Sequence, residues 1–337
     1  VVPPFRKLGI AVAAGPNSSS VHARPYGADR VRIISDKYGS QELNEEGIMD
    51  IVNTYSELRK AERGYRAVRE RAATRPLDSV FAVIGRITEK YGWRPMEVEI
   101  SSSVPKGLGS SASVFVATAA AVLGHYGVNE LTGIGDIANS GDEISHGRSS
   151  GIDAHTIAAG GWNSYRAGEG VKRLDVDFPV RMLAVDSGEP AKTMDTVEYF
   201  QELAKLWPEN MKSLTDELER LVMDGLGAMK GRDMTALGQA MTAYYRELRR
   251  VDNMDVGIPK VTFLTQSLEK ITEGALSCPG VLGAKPTGGW GGGCVLVLVR
   301  DEESVKEINE RFRFYRVHDL QLGAPGVRLC GQSPDRP

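Results

Sequence analysis

Pro105-Lys106-Gly107-Leu108-Gly109-Ser110-Ser111-Ala112-Ser113 is the stretch on which the reading of this chain turns. Val98–Ser101 ahead of it reads as a strand, and the alanine-rich Ser111–Leu123 after it reads as a helix closed by Gly124. Glycines let backbone amides approach a ligand without a Cβ in the way. A helix start offers free N–H groups and a positive dipole end to a phosphate. Serine hydroxyls add ligands for phosphate oxygens or a metal. No Gly-Lys-Ser/Thr ends the loop, so it is not a Walker A loop. A tight strand–helix turn with serine as N-cap accounts for the same residues.

Two further loops have this character. Asp142-Glu143-Ile144-Ser145-His146-Gly147-Arg148-Ser149-Ser150-Gly151-Ile152-Asp153 places acids at both ends of a glycine- and serine-rich segment. One carboxylate there suits Mg²⁺, which prefers oxygen ligands, and another suits removal of a hydroxyl proton. The plainer alternative makes Asp142 and Glu143 solvated helix residues and Asp153 a helix cap. His146 reads as structural. The third loop, Gly283-Ala284-Lys285-Pro286-Thr287-Gly288-Gly289-Trp290-Gly291-Gly292-Gly293, has six glycines in eleven residues before the strand Cys294–Val299. It passes close to something or serves as a surface hinge. Trp290 stacks on a ligand or shields the loop, and Cys294 opens a buried strand.

The rest of the chain sets the frame. Its 337 residues are 41% hydrophobic and 25% charged, with net charge −3, which fits two globular domains rather than a nucleic-acid coat or a basic membrane binder. Cys278, Cys294 and Cys330 are widely spaced and form no CxxC, so a reducing compartment and free thiols are expected, without zinc. No apolar run reaches about 18 residues and no signal peptide is apparent, so a cytoplasmic location is expected, with neither membrane nor nucleic acid as partner. A homodimer is compatible with the sequence.

Helical spacing is expected over 43–72 (one helix or a pair), 78–91 with Asp78 as N-cap, 195–206, 209–229, 234–250, 258–273 and 302–313. Strands are expected in 8–14, 30–35 and 181–186, with a final strand-like stretch ending near Leu329 and a loose tail at 331–337. Strands and helices mix in the first half, and a helical block ending in strand–helix–strand fills the second. The fold class is therefore α+β in two lobes, 1–170 and 171–337.

Taken in order, the three loops resemble those of the GHMP kinase superfamily, whose phosphate loop has the form Pro-x-x-x-Gly-Leu-Gly-Ser-Ser-Ala. Within it the mevalonate kinases are most similar. His146–Asp153 resembles their HGxPSGxD, Gly160-Gly161 their GG, Gly283–Cys294 their GAKLTGAGGGGC, and Gly323-Ala324-Pro325-Gly326-Val327 their GAPGV. The resemblance runs from about residue 98 to 329. It implies a ribosomal protein S5 domain 2-like N-terminal lobe, a ferredoxin-like C-terminal lobe, and phosphoryl transfer from MgATP to an alcohol, mevalonate first. Ser102, Lys106, Gly107, Leu108, Gly109, Ser110 and Ser111 would contact ATP. Ser111 with Asp142 or Glu143 would ligate Mg²⁺. Asp153 would serve as base, and Ser150, Ser187, Thr193, Gly288 and Gly289 would lie on the acceptor side. Phosphomevalonate, homoserine or a sugar is the alternative acceptor, and a catalytically dead GHMP-fold binding protein is the alternative role.

The departures are specific. The phosphate loop is two residues short between Pro105 and Leu108. Pro286, Trp290, Arg148-Ser149 and Ala154 stand where the family has other residues. The family's first motif, GKVILxGEH followed by VV, supplies an active-site lysine, glutamate and histidine. Val1-Val2 resembles that VV, so these three are expected to be missing from the sequence and activity to be weak without them.

Overall fold

The computed structural model describes residues 7–60, 64–147, 149–252 and 261–329. The readings placed on Val1-Val2, Arg148, Cys330, the start of the 258–273 helix and the 331–337 tail lie outside these residues. In chain order the strands are β1 (Gly9–Val12), β2 (Ala14–Gly15), β3 (Ser19–Pro25), β4 (Val31–Ser35), β5 (Gly39–Leu43), β6 (Met96–Ser102), β7 (Trp162–Arg166), β8 (Gly170–Leu174), β9 (Arg181–Asp186), β10 (Val281–Pro286), β11 (Cys294–Val299) and β12 (Arg316–Leu322). The helices are α1 (Glu45–Lys60), α2 (Gly64–Thr74), α3 (Asp78–Tyr91), α4 (Ser110–His125), α5 (Ile134–His146), α6 (Ile152–Ala159), α7 (Thr193–Leu206), α8 (Pro208–Lys230), α9 (Met234–Asp252), α10 (Gln266–Leu276) and α11 (Glu302–Arg311).

These elements form two compact units. One holds Asn17–Val104, Gly109–Gly160 and the segment from Pro325; the other holds the segment through Pro16, Pro105–Leu108 and Gly161–Ala324. A single cut near residue 170 does not describe this arrangement. The reason is strand pairing: β2 pairs with β12, and β1 pairs with β7, which precedes residue 170 yet belongs to the second unit.

In the first unit a four-stranded sheet, β3-β6-β4-β5, carries helices α1 to α6. Strand β4 shows the period of two that makes such a sheet. Val31, Ile33 and Ser35 turn inward and are buried, while Arg32 points outward to Glu42 and Glu97 at 3.4 and 3.2 Å. Helix α3 is buried along most of its length, with Phe81, Val83, Ile84 and Ile87 fully enclosed. Each such side chain contributes about 1.5–3 kcal/mol of burial energy. Asp78 is not the cap expected of it. Leu77 holds that position with no side-chain bond, and Asp78 is buried in the first turn, with Arg71 at 3.6 Å and Arg75 at 3.2 Å. Gly124 does not end α4, which runs one residue further.

In the second unit a five-stranded sheet has the order β10-β11-β9-β12-β2, and a three-stranded one the order β1-β7-β8. Strands β9 and β11 lie inside the larger sheet, and their inward residues Leu183, Val185, Val295, Val297 and Val299 sit in one core with the aromatic group Tyr199, Phe200, Phe263 and Trp290. Residues 283–286, expected within the third glycine loop, form the end of strand β10 instead. It is an edge strand, where proline is tolerated, and helix α9 crosses it at Gly238. A Cβ on Gly238 would stand 2.2 Å from the Leu282 carbonyl oxygen. Gly238→Ala is therefore expected to destabilise the protein, although alanine raises helix propensity by about 1 kcal/mol. A lower Tm in thermal unfolding checks this; an unchanged or higher Tm would show that α9 shifts freely. Helix α10 starts at Gln266, capped by Thr265, whose hydroxyl accepts from Leu268 N at 3.3 Å. No helix among the described residues is long and apolar enough to cross a membrane.

Candidate active site

An acidic cluster is built on three helices of the first unit that pack on one another, α4, α5 and α6. Helix α4 opens at Ser110 after Gly109 in a left-handed conformation. Ser111, one position into it, donates from its hydroxyl to Asp142 Oδ1 at 3.0 Å, and His146 Nε2 lies 3.1 Å from the same hydroxyl. Asp142 and His146 are one turn apart on α5, with 3.7 Å between Oδ1 and Nε2. Thus His146, read from sequence as structural, touches the serine and faces the carboxylate of this cluster.

Asp142 is only 3% exposed. Burial pushes its carboxyl up to about 8, the charge of Asp153 adds to the effect, and the Ser111 hydrogen bond opposes it. Among the described residues no lysine or arginine pairs with it. Glu143, its neighbour, turns the other way and pairs with Arg59 of α1. Asp153 lies inside the first turn of α6 and is not its cap; Gly151 holds that position. Water reaches Asp153, and the protein packed around its remaining sides raises its carboxyl above the ordinary range. The turn before it is shaped by two serines, whose hydroxyls accept from the backbone: Ser149 from Gly151 N at 3.1 Å and Ser150 from Ile152 N at 3.3 Å.

Ser102, at the end of β6, accepts from the Ser19 hydroxyl at 2.7 Å, and the Ser19 and Ser113 hydroxyls lie 2.6 Å apart. Ser113 donates to the Ser110 carbonyl at 2.8 Å. This hydroxyl chain ties the first turn of α4 to the sheet. Sequence reading missed Ser19 and Ser113 as part of it; the triple serine at 18–20 on a strand otherwise rich in exposed residues was the available signal.

A glycine-rich cluster belongs to the second unit. Gly107 has φ +86°, and a Cβ there would stand 3.0 Å from Gly293 Cα and 3.1 Å from Cys294 N. The Cys294 thiol donates to the Lys106 carbonyl at 3.5 Å. The first and third glycine loops therefore lie directly on each other. A Cβ on Gly288 would meet the Gly107 carbonyl oxygen at 3.5 Å. Ser187 N donates to the Gly293 carbonyl at 2.9 Å, and the Ser187 hydroxyl, buried, accepts from Glu189 N at 3.3 Å. Thr193 is the first residue of α7.

Residues 78–161, which hold the serine loop, Asp142 and Asp153, match the GHMP kinases N terminal domain, and residues 226–317, which hold the third glycine loop, match the GHMP kinases C terminal domain. The chain belongs to the GHMP kinases. It is an ATP-dependent phosphotransferase acting on an alcohol. Among relatives of this GHMP kinase, the mevalonate kinase of Aeropyrum pernix is 28% identical over 233 residues, 67% of this chain and 68% of that protein. The mevalonate kinase of Arabidopsis thaliana is 27% identical over 263 residues, 72% of this chain and 67% of that protein. The fold is shared with solved structures: Methanococcus jannaschii mevalonate kinase superposes with a TM-score of 0.71 at 20% identity, covering 94% of this chain and 92% of that one. Lactococcus lactis galactokinase complexed with galactose gives 0.73 at 14% identity, covering 96% and 90%.

Backbone contact at Gly107 makes this GHMP kinase sensitive there. Gly107→Val forces a branched side chain onto the third loop at a positive φ that valine avoids. Nucleotide affinity is expected to fall at least about tenfold, as read by titration with a fluorescent ATP analogue. Unchanged affinity with an intact far-UV spectrum would remove the loop from the nucleotide site.

Proposed function

We propose that this GHMP kinase phosphorylates mevalonate, transferring the γ-phosphoryl group of ATP to its primary hydroxyl. The observation that carries the reading is the cluster of Ser111, Asp142 and Asp153 on abutting helix ends, in a chain whose relatives by sequence include mevalonate kinases from an archaeon and a plant. Phosphoryl transfer needs positioning and charge neutralisation more than covalent help.

Ser102, Lys106 and Gly107–Ser111 are proposed to serve ATP, Ser102 through the hydroxyl chain that braces the helix start. Asp142 rather than Glu143 is proposed for Mg²⁺. Its donor set fits: a hydroxyl and a carboxylate oxygen 3.0 Å apart, with the His146 ring beside both and a buried carboxylate that lacks a lysine or arginine partner among the described residues. Ser111 and Asp142 would hold the ion through oxygen, the ligand type that Mg²⁺ prefers. When bound, the ion neutralises charge on the phosphates. Asp153 is proposed to accept the proton of the acceptor hydroxyl as the new O–P bond forms and the bond from Pγ to the ADP oxygen breaks. Its raised carboxyl makes it a stronger base than an ordinary aspartate. Ser150, Ser187, Thr193, Gly288 and Gly289 are proposed for the acceptor side.

A second reading has a specific observation behind it. The galactokinase structure superposes as well as the mevalonate kinases do, so a sugar acceptor is the competitor. The test is ADP release, coupled to pyruvate kinase and lactate dehydrogenase, against mevalonate, phosphomevalonate, homoserine and galactose. Mevalonate is expected to exceed the others in kcat/KM by about 10²-fold or more, since a site built for particular polar groups rejects analogues lacking them. A larger kcat/KM for any other acceptor would replace the assignment, and binding of ATP with no turnover on any of them would favour a non-catalytic role.

A further inference from the structure

Trp290 stands inside a run of glycines, and only two non-glycine residues among those described have a positive φ: Arg232 and Trp290, the latter at +64°. An L-residue in that region is disfavoured by about 1–2 kcal/mol, so the side chain must contribute something that offsets it. It is 5% exposed. The indole lies with its centroid 5.9 Å from that of Phe263, which in turn packs on Phe200 at 5.1 Å and Tyr199 at 6.4 Å. Pairs of this kind add about 0.5–1.5 kcal/mol beyond area burial. The ring therefore neither stacks on a ligand nor covers the loop from outside; it is rooted in the core beneath it.

The backbone on either side is tied in the same direction. Gly291 N donates to the Phe263 carbonyl at 2.7 Å, and Gly293 N to the Glu189 carbonyl at 2.9 Å. Phe263 is itself held by its N–H on Asp252 Oδ1 at 3.1 Å, and Glu189 by the Ser267 hydroxyl at 2.7 Å. Gly291 lies against Lys192 and Thr196 at the start of α7, and Gly292 against Pro190. The indole is thus the plug of a seam joining the third glycine loop to Ser187–Thr193.

We propose that Trp290 is a positioning residue: by seating its indole in the aromatic core it holds the third glycine loop and the Ser187–Thr193 segment in working shape before any ligand arrives. The functional part rests on the acceptor-side assignment made above; the structural part does not. A loop shaped in advance spares the ligand the cost of ordering it, and misplacement of about 1 Å at such a contact commonly lowers rates by 10²-fold.

The experiment compares Trp290→Gly, Trp290→Phe and, as a control for loss of core packing alone, Leu218→Ala, which truncates a buried residue of the same core outside the loop. Hydrogen exchange of the peptide spanning 287–293 is measured in the ligand-free full chain, alongside steady-state kinetics below each variant's Tm. For Trp290→Gly, loop exchange is expected to quicken at least about tenfold relative to Leu218→Ala, with acceptor KM raised about tenfold and nucleotide Kd little changed. Trp290→Phe is expected to recover most of both. Loop exchange equal to that of Leu218→Ala overturns the proposal, as do unmoved acceptor kinetics in a variant with a loosened loop. Should Trp290→Gly not fold, Trp290→Leu, which keeps apolar bulk without the ring, takes its place with the same two outcomes. If the wild type fails to use mevalonate, the acceptor assignment falls, while the exchange readout still decides on Trp290.

Discussion

Asp153→Asn is expected to lower kcat by about 10²-fold or more, with nucleotide Kd near that of the wild type. Asparagine keeps the size and the hydrogen-bonding reach of the side chain but cannot accept the proton of an attacking hydroxyl. If the residue served only to cap α6, asparagine would serve as well. The structure already weakens the capping role, because Gly151 occupies the cap position and Asp153 lies within the first turn. Single-turnover phosphorylation with ATP in excess separates chemistry from product release. A kcat within a few-fold of the wild type would withdraw Asp153 from the reaction.

Asp142→Asn should have effects of opposite sign on function and stability. Activity is expected to drop about 10²-fold or more through loss of an anionic oxygen at the phosphate charge, with a weaker dependence on Mg²⁺ concentration. Stability should move the other way. The carboxyl of Asp142 is pushed up to about 8 in the folded protein by burial, against an ordinary value near 3.9 in an unfolded chain. Between these values the native state holds a proton that the unfolded state has released. Stability from this group is therefore full at low pH and declines as pH rises through the window, reaching its minimum above about 8. Asparagine does not titrate, so the variant escapes that decline. In the absence of nucleotide and metal its Tm should exceed that of the wild type at pH 8, with the gap closing toward pH 5. A gap that is absent or widens on acidification would contradict the buried, cation-less environment described for this carboxylate.

The glycine loops and the buried strands around them were legible because both signals are local. Strands β9 and β11 fall on the expected residues, since an uninterrupted apolar run bounded by polar residues has few other uses. Other features depended on partners far away in sequence. Strand β10 hides behind Gly283 and Pro286, and only its edge position and the crossing of α9 explain both. Asp142 and Glu143 are adjacent in sequence and indistinguishable by type. A helix turns about 100° per residue, so one meets Ser111 and the other Arg59. Asp78 looked like a cap because aspartate before an apolar helix usually is one. Its two arginines come from α2 and the turn that follows, which no local pattern announces. Trp290 was unreadable for the same reason: its meaning lies in Phe263, Phe200 and Tyr199.

The pairing of Ala14 and Gly15 with Leu322 and Gln321 has a consequence for synthesis on the ribosome. Polypeptides emerge at about 5–20 residues per second, so the partners of these early residues appear many seconds after them. Strand β1 likewise waits for β7. During that interval the leading strands present unmatched edges, the feature most prone to wrongful association in a nascent chain. A nascent chain stalled before residue 321 is thus expected to display β2 in a protease-sensitive form.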